Sequence, residues 1–126
     1  MFIIDPLSRT PVYEQIVNQA EKLISAGILK EGEQLPSVRG LSVRISVNPN
    51  TIQKAYGELD SRGIACSVPG RGCFVSPDAR QKIQSRAKEK LSALTSLVEE
   101  LLHAGVSRDD IIKTVESITS KKEEIK

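Results

Sequence analysis

Asn50, Gln53 and Lys54 are three and four residues apart, the spacing that sets side chains on one face of a helix. Amide and ammonium groups in such a row are donors that pair with base edges and phosphates. On the other side Ile52, Ala55, Tyr56 and Leu59 recur at i, i+3, i+4 and i+7, which predicts an amphipathic helix seated on a core. Its start is written just before it. Asn48 reads as an N-cap whose side chain satisfies an orphan N–H, and Pro49 as the first helical residue, lacking the N–H that would be unpaired there. Upstream, Leu35-Pro36-Ser37-Val38-Arg39 opens a shorter helix capped by Ser37, with Val38, Leu41 and Ile45 facing inward. Ser46 falls in the turn between the two, where glycine commonly supplies a left-handed residue. A serine there, and Gly40 and Gly57 inside helices, cost roughly 1 kcal/mol each.

A second candidate group follows. Ile64–Val68 and Cys73–Ser76 are strand-like and are joined by Pro69-Gly70-Arg71-Gly72. One arginine between two glycines suits a minor groove, because glycine lets the backbone approach and the guanidinium favours the negative potential there. An ordinary solvated turn has the same composition, and the preceding helix pair is what favours the nucleic-acid reading. Cys66 and Cys73 flank the turn. With the turn centred on Gly70-Arg71 they lie diagonally on one face of the hairpin and read as small core-facing residues, the alternative being a redox switch. Two cysteines without partner histidines make no zinc site.

The elements that position these groups can be read outward from them. Met1–Arg9 begins with a short apolar run, either an edge strand or an arm lying on the domain. Thr10-Pro11 repeats the cap-plus-proline start, Val12, Ile16, Ala20, Leu23 and Ile24 mark a first helix, and Gly27 ends it. Residues 30–36 read as a polar turn. From Ser76-Pro77 the pattern changes: Ala87, Leu91, Leu94, Val98 and Leu101 repeat at 4-3-4-3 spacing, widened by Leu97 and Leu102, in one long helix that Gly105 breaks. Ser107-Arg108-Asp109-Asp110 resembles a capping box, and Ile111, Ile112, Val115 and Ile118 give a second apolar face. Lys121–Lys126 reads as a charged, frayed tail. The expected fold is mainly α with a small β-hairpin: a winged helix-turn-helix over residues 1–77 and a helical dimerisation hairpin over residues 78–126. Two such hairpins bury the stripe as a twofold dimer through Leu91, Leu94, Val98, Leu101, Ile111, Val115 and Ile118. The other solution folds the stripe back onto the chain's own winged domain.

A chain of 126 residues with 39% hydrophobic and 27% charged residues suits one domain or two small ones. Net charge is only +2: residues 1–76 hold 8 Lys and Arg against 7 Asp and Glu, and residues 77–126 hold 10 against 9. Bulk charge therefore cannot draw in nucleic acid, and local placement of Arg39, Arg44, Lys54 and Arg71 must do so. No apolar run approaches the ~20 residues of a membrane span, and the start lacks a signal-peptide pattern, so a cytoplasmic protein with no membrane partner is expected. The lone histidine, His103, reads as a helix-end cation or a surface residue rather than a catalyst. No phosphate loop, metal cluster or nucleophile–base pair is visible, so no enzyme, cofactor or metal is expected.

Residues 10–76 resemble the N-terminal domain of the GntR family of bacterial transcription regulators. Pro11-Val12-Tyr13-Glu14-Gln15-Ile16 is similar to its opening helix, Leu35–Arg39 to the start of its second helix, Val47-Asn48-Pro49-Asn50-Thr51 to the start of its recognition helix, and Gly70–Val75 to its wing. The short helical tail resembles the YtrA-like subfamily, whose C-terminal part dimerises. The resemblance implies a DNA-binding repressor acting as a homodimer on an inverted-repeat operator, often one controlling a transporter operon; it names no small-molecule effector. It implies that Arg39 enters the major groove, that Asn50, Thr51 and Lys54 read or clamp from the recognition helix, and that Gly70 and Arg71 lie at the minor groove. With Asn48, Gln53 and Gly72 these complete the expected DNA-binding set. Gln53 stands where many relatives carry Arg, and glutamine pairs with adenine rather than guanine. The rival reading is a winged-helix adaptor for protein partners, which would expose apolar anchors on the recognition face.

Overall fold

The computed structural model describes residues 2–125, with side chains described as far as residue 120. Its elements run α1 (Val12–Ser25), α2 (Val38–Ile45), α3 (Pro49–Ser61), β1 (Ala65–Val68), β2 (Gly72–Val75), α4 (Ala79–Glu89), α5 (Leu91–His103) and α6 (Arg108–Ile125). They form two compact units, Met1–Arg86 and Ala87–Lys126. The apolar faces expected of α1, α2 and α3 meet in the first unit. Ile16, Ile24, Leu41, Ile52, Leu59, Ile64 and Val75 are fully buried there, each contributing about 1.5–3 kcal/mol of burial.

The caps explain where the helices begin. Ser37 Oγ accepts from Gly40 N–H at 3.0 Å, and Asn48 Oδ1 from Asn50 N–H at 2.8 Å, with Pro49 in the first helical turn. Ser46 ends α2 in the left-handed region, at φ 55° and ψ 48°. Thr10, by contrast, does not cap α1. Pro11 itself occupies the N-cap position, which leaves Thr10 one residue outside the helix.

Of the two readings of the N-terminal segment, the arm is the observed one. Phe2 is buried in the core, and Ile3 N–H donates to Gln19 Oε1 at 2.8 Å. The buried Gln15 amide holds the rest, accepting from Asp5 N–H at 2.9 Å and donating to the carbonyls of Asp5 and Thr10 at 3.0 and 2.9 Å. Glutamine side chains thus take the place of a strand ladder.

Residues 30–36 are more than a polar turn. Gly32 N–H donates to Val75 O, Val75 N–H to Glu33 O and Leu35 N–H to Cys73 O, each at 2.8 Å, and Gln34 bridges Phe74 in antiparallel sense. β2 therefore has backbone partners on both edges. A single inward leucine, Leu35, anchors this segment, too few apolar positions to show a strand period.

In the hairpin the pairs are Ala65↔Val75, Cys66↔Phe74, Ser67↔Cys73 and Val68↔Gly72. The loop has three residues, which corrects the expected placement of the cysteines: they lie on opposite faces, Cys66 exposed and Cys73 half-buried against the core.

Two further expectations about the C-terminal half are corrected. The first unit extends past residue 77 because Ala79 is fully buried and Ile83 packs on the same core. The long helix is broken at Lys90, where Lys90 N–H bonds back to Ala87 O and the Ser92 hydroxyl donates to Glu89 O at 3.0 Å, a side-chain donor competing with the helical ladder. Ser107 caps α6 as expected, accepting from Asp110 N–H at 3.1 Å. The side chains of the tail at 121–126 lie outside the described residues.

Candidate nucleic-acid interface

α3 divides cleanly. Ile52, Ala55, Tyr56 and Leu59 are buried, while Asn50, Gln53, Lys54 and Gly57 are exposed on the opposite face and Thr51 sits half-buried on its flank. The exposed face carries no apolar anchor, so it offers nothing to an adaptor's partner and a row of donors to a polar groove. Tyr56 fixes the helix from below: its buried hydroxyl donates to Pro36 O at 2.7 Å, tying α3 to the residues that lead into α2. Burial raises the Tyr56 phenol above the usual range, which keeps this donor protonated.

The cations on this unit fall into two groups. Arg62 is consumed internally: its guanidinium donates to Glu21 of α1 and Glu58 of α3, each at 2.8 Å. Burial opposes its charge, but these two bonds hold it above its ordinary pKa. Arg39, Arg44, Lys54 and Arg71 are exposed, and among the described residues none of them forms an ion pair. Cations left without carboxylates are available to phosphates.

Lys54 has a partner the sequence did not announce. Its ammonium lies 4.1 Å from the ring centroid of Tyr13 on α1, a cation–π contact worth about 0.5–1 kcal/mol at an exposed site. The Tyr13 hydroxyl donates to Glu14 at 3.2 Å, and that bond and the Glu14 charge raise its pKa. The available signal was an aromatic residue on α1 beside, rather than within, the Ile16–Ala20–Ile24 stripe.

The wing tip is a closed turn. Arg71 N–H donates to Val68 O at 3.0 Å around Pro69-Gly70, with Gly70 at φ 77°; proline at the second position and a positive-φ glycine at the third make a type II turn. Gly70, Arg71 and Gly72 are all exposed. A groove of about 450 Å³ runs between the wing, the start of α2 and the Gln53–Gly57 side of α3. The expected DNA-binding residues of α2, α3 and the wing therefore belong to one unit, with Arg39 on α2 and Asn48 spent on capping α3.

The second unit shows the stripe. Leu91 (59% exposed), Leu94 (46%), Val115 (44%) and Ile118 (63%) remain open to solvent, with Val98, Leu101 and Ile111 half-buried. α5 has no buried residue at all. Among the described residues, no helix is long and apolar enough to cross a membrane.

A capped helix pair presenting a polar second helix, followed by a glycine-tipped hairpin, is a winged helix-turn-helix, and it places the protein among DNA-binding proteins. The family described as "Bacterial regulatory proteins, gntR family" matches residues 12–75. The chain is 38% identical over 121 residues to the HTH-type transcriptional repressor YtrA of Bacillus subtilis (strain 168), spanning 95% of this chain and 93% of that one. A transcriptional regulator from Oenococcus oeni has the same fold with a TM-score of 0.73 at 30% identity, covering 94% of this chain and 99% of that one. AraR(DBD) in complex with operator ORX1 aligns with a TM-score of 0.53 at 33% identity, over 59% of this chain and 92% of that one. The chain belongs to the GntR family and is a DNA-binding transcription regulator, with the likeness to YtrA running through both units.

Proposed function

We propose that the protein is a cytoplasmic repressor that binds an inverted-repeat operator as a homodimer, with Arg39, Asn50, Thr51, Gln53 and Lys54 in the major groove and Arg71 at the minor groove. The observation that carries this reading is the exposed donor face of α3, opposite a fully buried apolar face and beside cations that pair with no carboxylate among the described residues. The repressor role draws on the likeness to the repressor YtrA. The twofold assembly draws on the open apolar stripe of α5 and α6, the kind of exposed patch that marks an interaction surface. Twofold symmetry sets two recognition helices on one face of the duplex and demands a palindromic site.

The test is a gel shift on promoter DNA from the protein's own operon, run as a salt series. Affinity is expected to fall steeply with salt as phosphate contacts release counterions. Arg39→Ala is expected to weaken binding at unchanged thermal stability, since its side chain is exposed, and Lys54→Ala to weaken binding while lowering stability by no more than the about 0.5–1 kcal/mol of its contact with Tyr13. Gln53→Arg is expected to move base preference towards guanine at one position per half-site. Wild-type affinity in both alanine variants would overturn the assignment of this face.

A further inference from the structure

We propose that Gln34 is a positioning residue for the wing: its side-chain amide holds the Arg71 backbone in place and so sets where the Arg71 guanidinium meets the duplex. This rests on the operator-binding reading above and adds to it a residue outside the helix-turn-helix and the hairpin.

The wing tip needs such a constraint. Arg71 stands between Gly70 and Gly72, the residue type with the widest backbone freedom, and every residue from Cys66 to Gly72 is exposed, so no side-chain packing steadies the tip. Gln34 supplies what packing does not. Its Nε2 donates to Arg71 O at 3.0 Å, across 37 residues of sequence. Together with the Arg71 N–H bond to Val68 O, this fixes the arginine's main chain at both its donor and its acceptor. The base of the latch is firm, because the neighbouring backbone groups of Glu33 and Leu35 are paired to β2 and Leu35 is buried.

Gly72 has its own part in the arrangement. A Cβ built there would stand 2.6 Å from Gln34 Nε2, and its φ is 119°. The glycine therefore opens the path by which the amide crosses to the carbonyl beyond it. Residue type matters equally at position 34. Glutamate has the same shape but no donor, and asparagine is one methylene shorter. An arginine whose main chain is already ordered loses less entropy on binding than one on a free glycine tip.

The test is a double-mutant cycle read as affinity for the promoter fragment, with A·T-rich and G·C-rich flanks compared and melting temperatures as the folding control. Arg71→Ala is expected to lose about tenfold on A·T-rich flanks, the size of one base-level contact. Gln34→Ala and Gln34→Glu are each expected to lose about threefold on the same flanks, the ordering that the latch supplies before binding, with melting lowered by no more than the one exposed hydrogen bond removed. In the Arg71→Ala background, Gln34→Ala is expected to cost nothing further. A Gln34 loss that persists undiminished in that background, or wild-type affinity in both Gln34 variants, overturns the latch while leaving operator binding intact. A silent Arg71→Ala overturns the wing contact and the latch together. Failure of the wild type to bind promoter DNA in a salt-dependent way refutes the operator reading itself.

Discussion

Replacing Leu94 and Val98 with aspartate probes the proposed assembly most directly. Leu94 is 46% exposed in the single chain, so roughly half of its burial free energy, about 0.7–1.5 kcal/mol, is still to be gained when a partner covers it. Twofold symmetry doubles that loss, and Val98, half-buried beside it on α5, adds more of the same sign. The larger effect is the carboxylates. Each aspartate carried into an apolar seam costs several kcal/mol in desolvation. Together these exceed about 5 kcal/mol, or more than three decades in the dimer Kd at 1.4 kcal/mol per decade. A dimer of about micromolar Kd is then expected to become one of about millimolar Kd, monomeric at the micromolar concentrations of the assay. Neither residue belongs to the core of the first unit, so its far-ultraviolet dichroism and melting should persist, and the variant should bind a half-site only weakly. Sedimentation equilibrium at micromolar protein measures the mass. A dimeric double mutant, a monomeric wild type, or full operator affinity in the mutant would refute the reasoning.

The remaining expectations concern the scaffold. Ser46→Gly removes a left-handed serine at φ 55° and is expected to stabilise the fold by about 0.5–1 kcal/mol, read as a raised urea midpoint at constant m; a lowered midpoint would count against it. Asn48→Ala deletes the oxygen that accepts from Asn50 N–H and is expected to cost about 0.5–2 kcal/mol of stability in the same assay, so an unchanged midpoint would show that the cap is idle. Burial raises the Cys73 thiol above its ordinary pKa, which lowers its thiolate fraction near neutrality. Alkylation followed by mass spectrometry should modify exposed Cys66 first, with the gap narrowing as pH rises through the raised value; equal rates near neutrality would contradict this.

What the sequence made legible follows from how locally each feature is encoded. The caps at Ser37 and Asn48 and the left-handed Ser46 depend on neighbours a few residues away, and each is present. The period of Ile52, Ala55, Tyr56 and Leu59 needs only a core to face, and it finds one. The features that escaped are the long-range ones. The pairing of residues 32–35 with β2 joins backbones about forty residues apart and uses polar side chains with no period. Gln34 and Tyr13 act through single contacts to Arg71 and Lys54 that composition cannot reveal. The cysteine faces were misplaced because a three-residue loop, rather than a turn centred between Gly70 and Arg71, shifts the register and so the face. The unit boundary moved because two apolar residues of α4, Ala79 and Ile83, are enough to hold its first turns on the core.

The strand pairing of residues 32–35 bears on how an operator can vary. β2 is bonded on one side to the hairpin and on the other to the segment running into the cap of α2, while Tyr56 ties that same segment to α3. Wing tip and recognition helix are therefore two points of one gauge with a fixed span. Inserting one base pair between the bases that each addresses moves the flank along the axis by about 3.4 Å and rotates it by about 35°. A tethered wing has no slack with which to follow. The spacing between groove contacts within a half-site should thus be held to the single base pair even where base identity drifts.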